Sequence, residues 1–494
     1  VSESGVEPAG RHHGEVEPTT REPATRGPEA PATLALAREF FAEALSREPE
    51  APVVIVVPAP LVDPVHALRR LRKQDAWLLS RAASGHEPAE AVLGLGRAVA
   101  CTLEGQHRLA QLGDELARDP ALTRLVHARA HPPLAERLPL RMVGLAFAAG
   151  ASAEEPWREH GDGRVVTPRW TYLREGEHAV LAWTSGERWR GQGAVALGEL
   201  EALFGAFAAR PVRAARPRVV SEERATVAAW EAHVREAVGA IERGELRKVV
   251  AARRTVVATA QDLVAEDVLA SLPESGATRF LVRIGASAFV GATPERLFRK
   301  RGRHVTTEAL AGTRASATEG AERGLLASEK DHSEHSPVLA AIVSALEAVG
   351  ARVRTEPSPR IKRVANLVHL RTAIHGELER DVDAATLLAQ LHPTPAVGGT
   401  PRAEALDWIG RHEVPRGWYA GPLGWVDARG DAELLVALRS ALVRGGRAWI
   451  YAGGGIVASS DPRAEYVETE LKMTPLLRAV GAEPHVPDRV ERSS

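Results

Sequence analysis

Val227-Ala-Ala-Trp230-Glu-Ala-His-Val234-Arg-Glu-Ala237-Val238-Gly-Ala-Ile241-Glu-Arg-Gly244-Glu-Leu-Arg-Lys248-Val-Val-Ala-Ala-Arg-Arg-Thr-Val-Val257 changes its period halfway. Val227, Trp230, Val234, Ala237, Val238 and Ile241 recur at helical spacing, and Gly244 closes the helix. From Lys248 to Val257 the β-branched run reads as a strand. Outward from it, strands are predicted at Pro52–Val57, Leu93–Ala98, Val143–Phe147, Arg279–Ile284, Glu433–Leu442 and Ala448–Ala452. Pairs of strands continue through Val165–Ser185, after a polar loop at Ser152–Arg164. Helices are predicted at Leu34–Leu45, Gly320–Val349 and Pro462–Val480. Strands come in runs and do not alternate strictly with helices, so the fold class is read as α+β, with antiparallel sheets and helices outside.

The 494 residues carry 44% hydrophobic and 26% charged side chains, the balance of an ordinary globular protein. With 63 basic and 64 acidic residues, global charge gives no reason to expect nucleic acid or an anionic membrane as partner. No run of about 18 apolar residues reads as a membrane span. Cys101 has no partner for an intrachain disulfide, and its apolar surroundings suggest a small buried hydrophobe. Residues 1–35 lack the apolar core of a secretory signal, so a cytoplasmic location is expected. Their composition, like that of residues 483–494, predicts a disordered tail. Pro211–Pro217 separates a front part, 36–218, from a motif-dense part, 219–482.

Acids stand at helical spacing in two places. Asp331 and Glu334 share a face, above an apolar stripe of Leu325, Leu326, Val338, Leu339, Ile342 and Leu346. Asp461, Glu465, Glu468 and Lys472 form a polar stripe beside Tyr466, Thr469, Met473, Leu476, Leu477 and Val480. Two solvated faces are the plain reading; the functional one brings both acidic faces around a hard cation. Lys248 is either a strand-end lysine in solvent or, pointing inward, a desolvated amine fit to act as a base. Glu295, after the strand Phe289-Val-Gly-Ala-Thr-Pro, is either a solvated loop tip or an acid kept protonated in a closed cleft. Ala309-Leu-Ala-Gly-Thr313 and Tyr451-Ala-Gly-Gly-Gly-Ile-Val457 are small-residue turns where backbone can approach an anion. His332-Ser-Glu-His335 fails the zinc patterns.

In chain order, ten segments resemble the chorismate-utilising enzyme family. They are Gly244-Glu-Leu-Arg-Lys248-Val-Val, Gly291-Ala-Thr-Pro-Glu295, Ala309-Leu-Ala-Gly-Thr313, Lys330-Asp-His-Ser-Glu334-His335 and Val368-His369-Leu-Arg-Thr372. There follow His392-Pro-Thr-Pro-Ala-Val-Gly-Gly399, Arg416-Gly-Trp-Tyr419-Ala-Gly-Pro-Leu-Gly424, Ala437-Leu-Arg439-Ser-Ala, the Gly453 loop and Ser460-Asp-Pro-Arg-Ala-Glu465-Tyr-Val-Glu468-Thr. The front half matches loosely, at Asp63-Pro, Trp77, Gly94–Ala98 and the Trp157 loop.

The resemblance implies a single large domain of two stacked antiparallel β-sheets surrounded by helices, with a cleft between. It implies Lys248 as general base, Glu295 as general acid, and Glu334 and Glu468 as Mg²⁺ ligands with Asp331 and Glu465 outside them. Tyr419, Arg439, Gly455 and Lys472 are implied as contacts to the carboxylates of chorismate, with Thr313 and His369 in the cleft.

Members of the family differ in nucleophile. Aminodeoxychorismate synthases carry a lysine where this chain has Ala311, and the Leu-Leu-Glu-Ser motif usual in anthranilate synthases is here Leu78-Leu-Ser-Arg81. No glutamine amidotransferase segment or partner is expected. The resemblance therefore implies an isochorismate synthase. The alternatives are a salicylate synthase, which shares the steps and then expels pyruvate, an anthranilate synthase-like nitrogen user, and a non-catalytic relative. Ala396-Val397 leans toward stopping at isochorismate.

Overall fold

The computed structural model describes residues 29–46, 53–72, 74–85, 87–118, 124–127, 130–186, 192–210 and 216–485. Its strands form one sheet of 13 and one of 10. Among the described strands pairing is antiparallel, except where Val53–Pro58 meets Arg124–His127 at the edge of the larger sheet. Side chains in the larger sheet alternate between two cores, as the strand period requires. Val54, Val56, Trp77, Leu79, Phe280 and Val282 pack with Leu423 and Trp425 of the smaller sheet. Val53, Ile55, Val57, Leu78 and Leu281 pack with Phe41, Leu200, Phe204, Met473 and Leu477 of the helices Glu29–Ser46, Gly193–Phe207 and Pro462–Ala479. Helices therefore cover the outer face of the larger sheet, and the helix Glu329–Ala348 packs Val338, Ile342 and Leu346 near Val305, Ala309 and Ile374 of the smaller one. Both sheets mix early and late strands: Ala76–Arg81 pairs with Thr278–Ile284, and Arg141–Leu145 with Pro422–Val426.

The quoted helix spans Val227–Glu242. Thr226 caps it by accepting from the Ala229 amide, and Trp230, Val234, Ala237 and Ala240 are its buried face. Gly244, at φ 76, lets the chain reverse into the strand Lys248–Thr259. That strand pairs with Arg447–Ile456 along ten positions.

Several expectations are corrected. The stretch Gly320–Val349 is two helices, Ala321–Leu326 and Glu329–Ala348, because the Ser328 hydroxyl caps a new start by accepting from the Asp331 amide. Leu326 consequently falls off the buried stripe and is 43% exposed. Leu93–Ala98 is replaced by Glu90–Leu95, which ends at Gly96 in the left-handed region, and Val143–Phe147 by Arg141–Leu145. The first helix begins at Glu29, inside the stretch expected to be a tail. Residues 1–28, 211–215 and 486–494, which hold most of the two tails and of the proline-rich connection, lie outside the described residues. Cys101 is only partly buried, with burial raising its thiol pKa.

The largest correction concerns Glu433–Leu442. It is two strands in different sheets, Ala432–Val436 in the smaller and Ser440–Arg444 in the larger. The chain crosses between layers through Ala437, Leu438 and Arg439. A second crossing runs from Ser287–Thr293 in the larger sheet, through Pro294 and Glu295, to Arg296–Arg301 in the smaller. The crossings are tied together: the Val436 amide donates to the Glu295 carbonyl at 3.1 Å, and the Ala292 amide to the Arg439 carbonyl at 3.2 Å. Arg439 sits at φ 48, a left-handed conformation that costs a non-glycine residue on the order of 1–3 kcal/mol.

Candidate active site

A cleft of about 280 Å³ opens where the two crossings face the strand Lys248–Thr259. All twelve candidate site residues line it: Lys248, Glu295, Thr313, Asp331, Glu334, His369, Tyr419, Arg439, Gly455, Glu465, Glu468 and Lys472. Among the described residues, its lining comes from positions 248 to 472.

One wall is built around the glycine run of the strand Arg447–Ile456. Each glycine there makes room for one functional side chain. A Cβ at Gly455 would lie 2.9 Å from Cε of Lys248, one at Gly454 would lie 2.8 Å from Oε2 of Glu465, and one at Gly453 would lie 3.2 Å from the Tyr419 hydroxyl. Lys472 Nζ donates to the Gly453 carbonyl at 2.8 Å and pairs with Glu468 at 2.6 Å. The helix Pro462–Ala479 starts at Asp461, whose carboxylate accepts from the Ala464 amide. Asp461 is thus spent as a cap, while Glu465 accepts from the Ser460 hydroxyl at 2.9 Å and Glu468 reaches the cleft. From the opposing helix Glu329–Ala348, Glu334 lines the cleft and Asp331 accepts from Arg314 at 3.1 Å. A bulge at Gly312, φ 69, brings the backbone of the strand His304–Ala315 against Asp331.

The other wall carries the acid and the arginine. His369 Nδ1 lies 3.1 Å from the Gly312 carbonyl and 3.2 Å from the Thr313 hydroxyl, and Nε2 lies 3.5 Å from Arg439. A proton on Nδ1, donated to Gly312, leaves Nε2 as an acceptor toward Arg439. Burial, with Arg439 beside it, pushes the imidazole down to about 3, so it is neutral at working pH. Tyr419 stacks on Tyr451, with ring centres 5.3 Å apart. The Tyr451 hydroxyl accepts from Trp157 Nε1 at 2.9 Å, so the front half braces the strand Arg447–Ile456 from behind.

Burial drives the two central groups in opposite directions. It lowers the Lys248 pKa, with Lys472 assisting and Glu334, Glu295 and Glu468 opposing. It raises the Glu295 carboxyl to about 7, with Glu308 assisting and Lys362, Lys248 and Arg439 opposing. Burial also pushes the Tyr419 hydroxyl up to about 12 and the Arg439 guanidinium down to about 10. A neutral amine and a protonated carboxyl are the forms that a base and an acid need at the outset.

Sequence reading missed several groups. Arg416 Nη2 donates to the Val250 carbonyl at 2.6 Å and Nη1 to the Val397 carbonyl at 3.0 Å, and it pairs with Glu413 at 2.8 Å. It therefore holds the strand of Lys248 from the side. Glu308 and Arg314 flank the segment Ala309–Thr313 without having been assigned a role, and Lys362 stands outside every quoted segment.

A two-layer fold enclosing a desolvated lysine, a carboxyl raised by burial and a group of acids and cations suits a small anionic substrate. Residues 39–481 match the family described as chorismate binding enzyme, and the chain belongs to that family. It is 39% identical over 367 residues to the salicylate biosynthesis isochorismate synthase of Pseudomonas aeruginosa, covering 71% of this chain and 75% of that protein. To the isochorismate synthase MenF of Bacillus subtilis it is 33% identical over 374 residues, covering 70% and 77%. The solved structure of the menaquinone-specific isochorismate synthase MenF of Escherichia coli superposes with a TM-score of 0.72 at 28% identity, covering 91% of this chain and all of that one. Anthranilate synthase component I of Streptococcus pneumoniae, at 19% identity and TM-score 0.63, shares the fold.

Proposed function

We infer that this chain is an isochorismate synthase, converting chorismate to isochorismate. The observation that carries the reading is the convergence of Lys248 and Glu295 in one cleft, both buried, with their pKa values displaced in opposite directions. Lys248 takes a proton from water as the water oxygen bonds to C2 of the ring. The ring double bonds shift and the C4–O bond breaks. Glu295 gives its proton to the departing hydroxyl, which leaves as water. One water enters and one leaves, so the product is an isomer, and solvent returns lysine and glutamic acid to their starting forms.

Chorismate is a dianion, and the cleft already holds four carboxylates: Asp331, Glu334, Glu465 and Glu468. Arg439 suits one substrate carboxylate, because its guanidinium fork matches that geometry. Lys472 and the Tyr419 hydroxyl supply further polar contacts on the same side as Gly455. Among the described residues no group of three or more His, Cys, Asp or Glu side chains is arranged to hold a metal ion alone. A magnesium ion asks for less, taking one or two carboxylates and completing its shell with water and substrate oxygens. Glu334 and Glu468 fit that demand, with Asp331 and Glu465 anchored by Arg314 and Ser460 behind them. Bound there, Mg²⁺ would supply the positive charge that lets a carboxylate substrate sit among carboxylates.

Ala311 lines the cleft with a methyl group, which supports water over an amine as nucleophile. On this reading no amidotransferase subunit is needed, and neither nucleic acid nor membrane takes part. No helix of the described residues is long and apolar enough to cross a membrane. The test is product analysis after incubating chorismate with the protein and Mg²⁺, with and without ammonia. Isochorismate alone, unaffected by ammonia, is expected. Salicylate with pyruvate would make it a salicylate synthase, and aminated product would make it a nitrogen user.

A further inference from the structure

Behind the crossing that carries Glu295 lies a chain of charges, of which Glu308 and Lys362 stand outside the quoted segments. Glu308 stands on the strand His304–Ala315, Arg371 on Leu367–Leu378 and Lys362 on the short strand Arg360–Val364. Arg371 Nε donates to one Glu308 oxygen at 2.7 Å, and Lys362 Nζ donates to the other. Lys362 Nζ also donates to the carbonyl of Pro294 at 2.7 Å. Arg371 is itself shared with Glu356 at 3.3 Å. One ammonium thus grips both the backbone just before Glu295 and the carboxylate beside it.

We propose that Glu308 and Lys362 are positioning residues for the acid Glu295: Lys362 fixes its backbone through the Pro294 carbonyl, and the Glu308 charge keeps its carboxyl carrying a proton. This rests on the reading of Glu295 as the general acid. Two carboxylates close together in a dry site resist being ionised at once. Glu308 has two cations and Glu295 has none bonded to it, so Glu308 is the one that ionises. Although burial opposes it, Lys362 and Arg371 hold the Glu308 carboxyl below its usual range. The other charged or titratable groups around Glu295 are Lys248 on the opposite wall, Arg439 on the crossing that follows Ala437, and Tyr419. Burial is the larger reason that Glu295 keeps its proton and Glu308 adds to it, while Lys248 and Arg439 favour the carboxylate.

The two residues act in opposite senses on the same proton, and a test can use that. The protonated Glu295 carboxyl can be followed by infrared spectroscopy, as the carbonyl band that disappears in Glu295→Gln, titrated with pH and without substrate. In Glu308→Gln the titration should move to lower pH by about one unit. In Lys362→Gln it should move to higher pH, and Lys362→Arg should bring it back. The limb of the kcat/KM profile that belongs to Glu295 should move in the same directions. Displacement of both variants in one direction, or of neither, would overturn the proposal and leave the pair as scaffolding. The band titrates whether or not chorismate turns over. A protein that shows both displacements but makes no isochorismate would sink the role of Glu295 as acid while keeping the proposed coupling.

Discussion

Two groups of buried charges lie between the sheets, and they are built on opposite plans. In the first, away from the cleft, Arg81, Arg137, Arg299 and Arg301 surround Glu90, while Arg296 and Arg299 are shared between Glu87 and Glu433. Burial alone would raise the acids. The arginines outweigh it and hold both Glu87 and Glu90 at about 2. In the cleft the same residue types meet without that pairing, and burial wins, taking Glu295 to about 7. Saturated pairing makes a scaffold with no proton to give. Incomplete pairing leaves groups that exchange protons near neutral pH.

Breaking each group separately should give contrasting results. Lys248→Ala should lower turnover by about a thousandfold or more while leaving the melting temperature near the wild-type value. Near-normal rates would remove Lys248 as the base. Glu90→Ala should do the reverse. Taking from four arginines the buried carboxylate they share should cost about 3–5 kcal/mol in denaturant unfolding, with the rate per folded molecule little changed. A Glu90→Ala protein of normal stability would show the first group to be ornamental.

The pH dependence of stability sharpens the contrast through its sign. Glu90 has a folded pKa below the unfolded value, so its contribution is present above about pH 4.5 and lost as pH falls toward 2. Glu295 has a folded pKa above the unfolded value, so its contribution is present below about pH 4.5 and lost as pH rises through 7. Gln mimics the protonated acid. Glu295→Gln should therefore be more stable than the wild type at pH 8, by about 3 kcal/mol, and little different at pH 4.5. Equal stability at pH 8 would mean that Glu295 is not held protonated. The smallest effect is expected for Glu468→Gln, which should raise the Mg²⁺ needed for half-maximal activity about tenfold. Full activity after EDTA treatment would remove the metal from the account.

Much of the cleft was legible because its residues sit at punctuation marks. Lys248 follows a glycine turn, Glu295 a proline, and Gly455 ends a glycine run. Glu465 and Glu468 recur at helical spacing. The strand Glu433–Leu442 was misread because a run of apolar residues looks continuous whether it stays in one sheet or passes to another. Its break is a left-handed Arg439, and arginine gives no sign of such a conformation. The helix break at Ser328 was hidden because a serine marks a new helix start no more clearly than it marks a polar position inside one helix. Glu308 and Lys362 were invisible for a different reason: 54 residues separate them, and only strand register brings them together.

The central claim, that water is activated by Lys248 and added to the ring, can be tested by running the reaction in water enriched in the heavy oxygen isotope. Mass analysis should find the label in the C2 hydroxyl of isochorismate, and Lys248→Ala should form almost none of this product. Unlabelled isochorismate, or labelled product made as fast by Lys248→Ala, would contradict it.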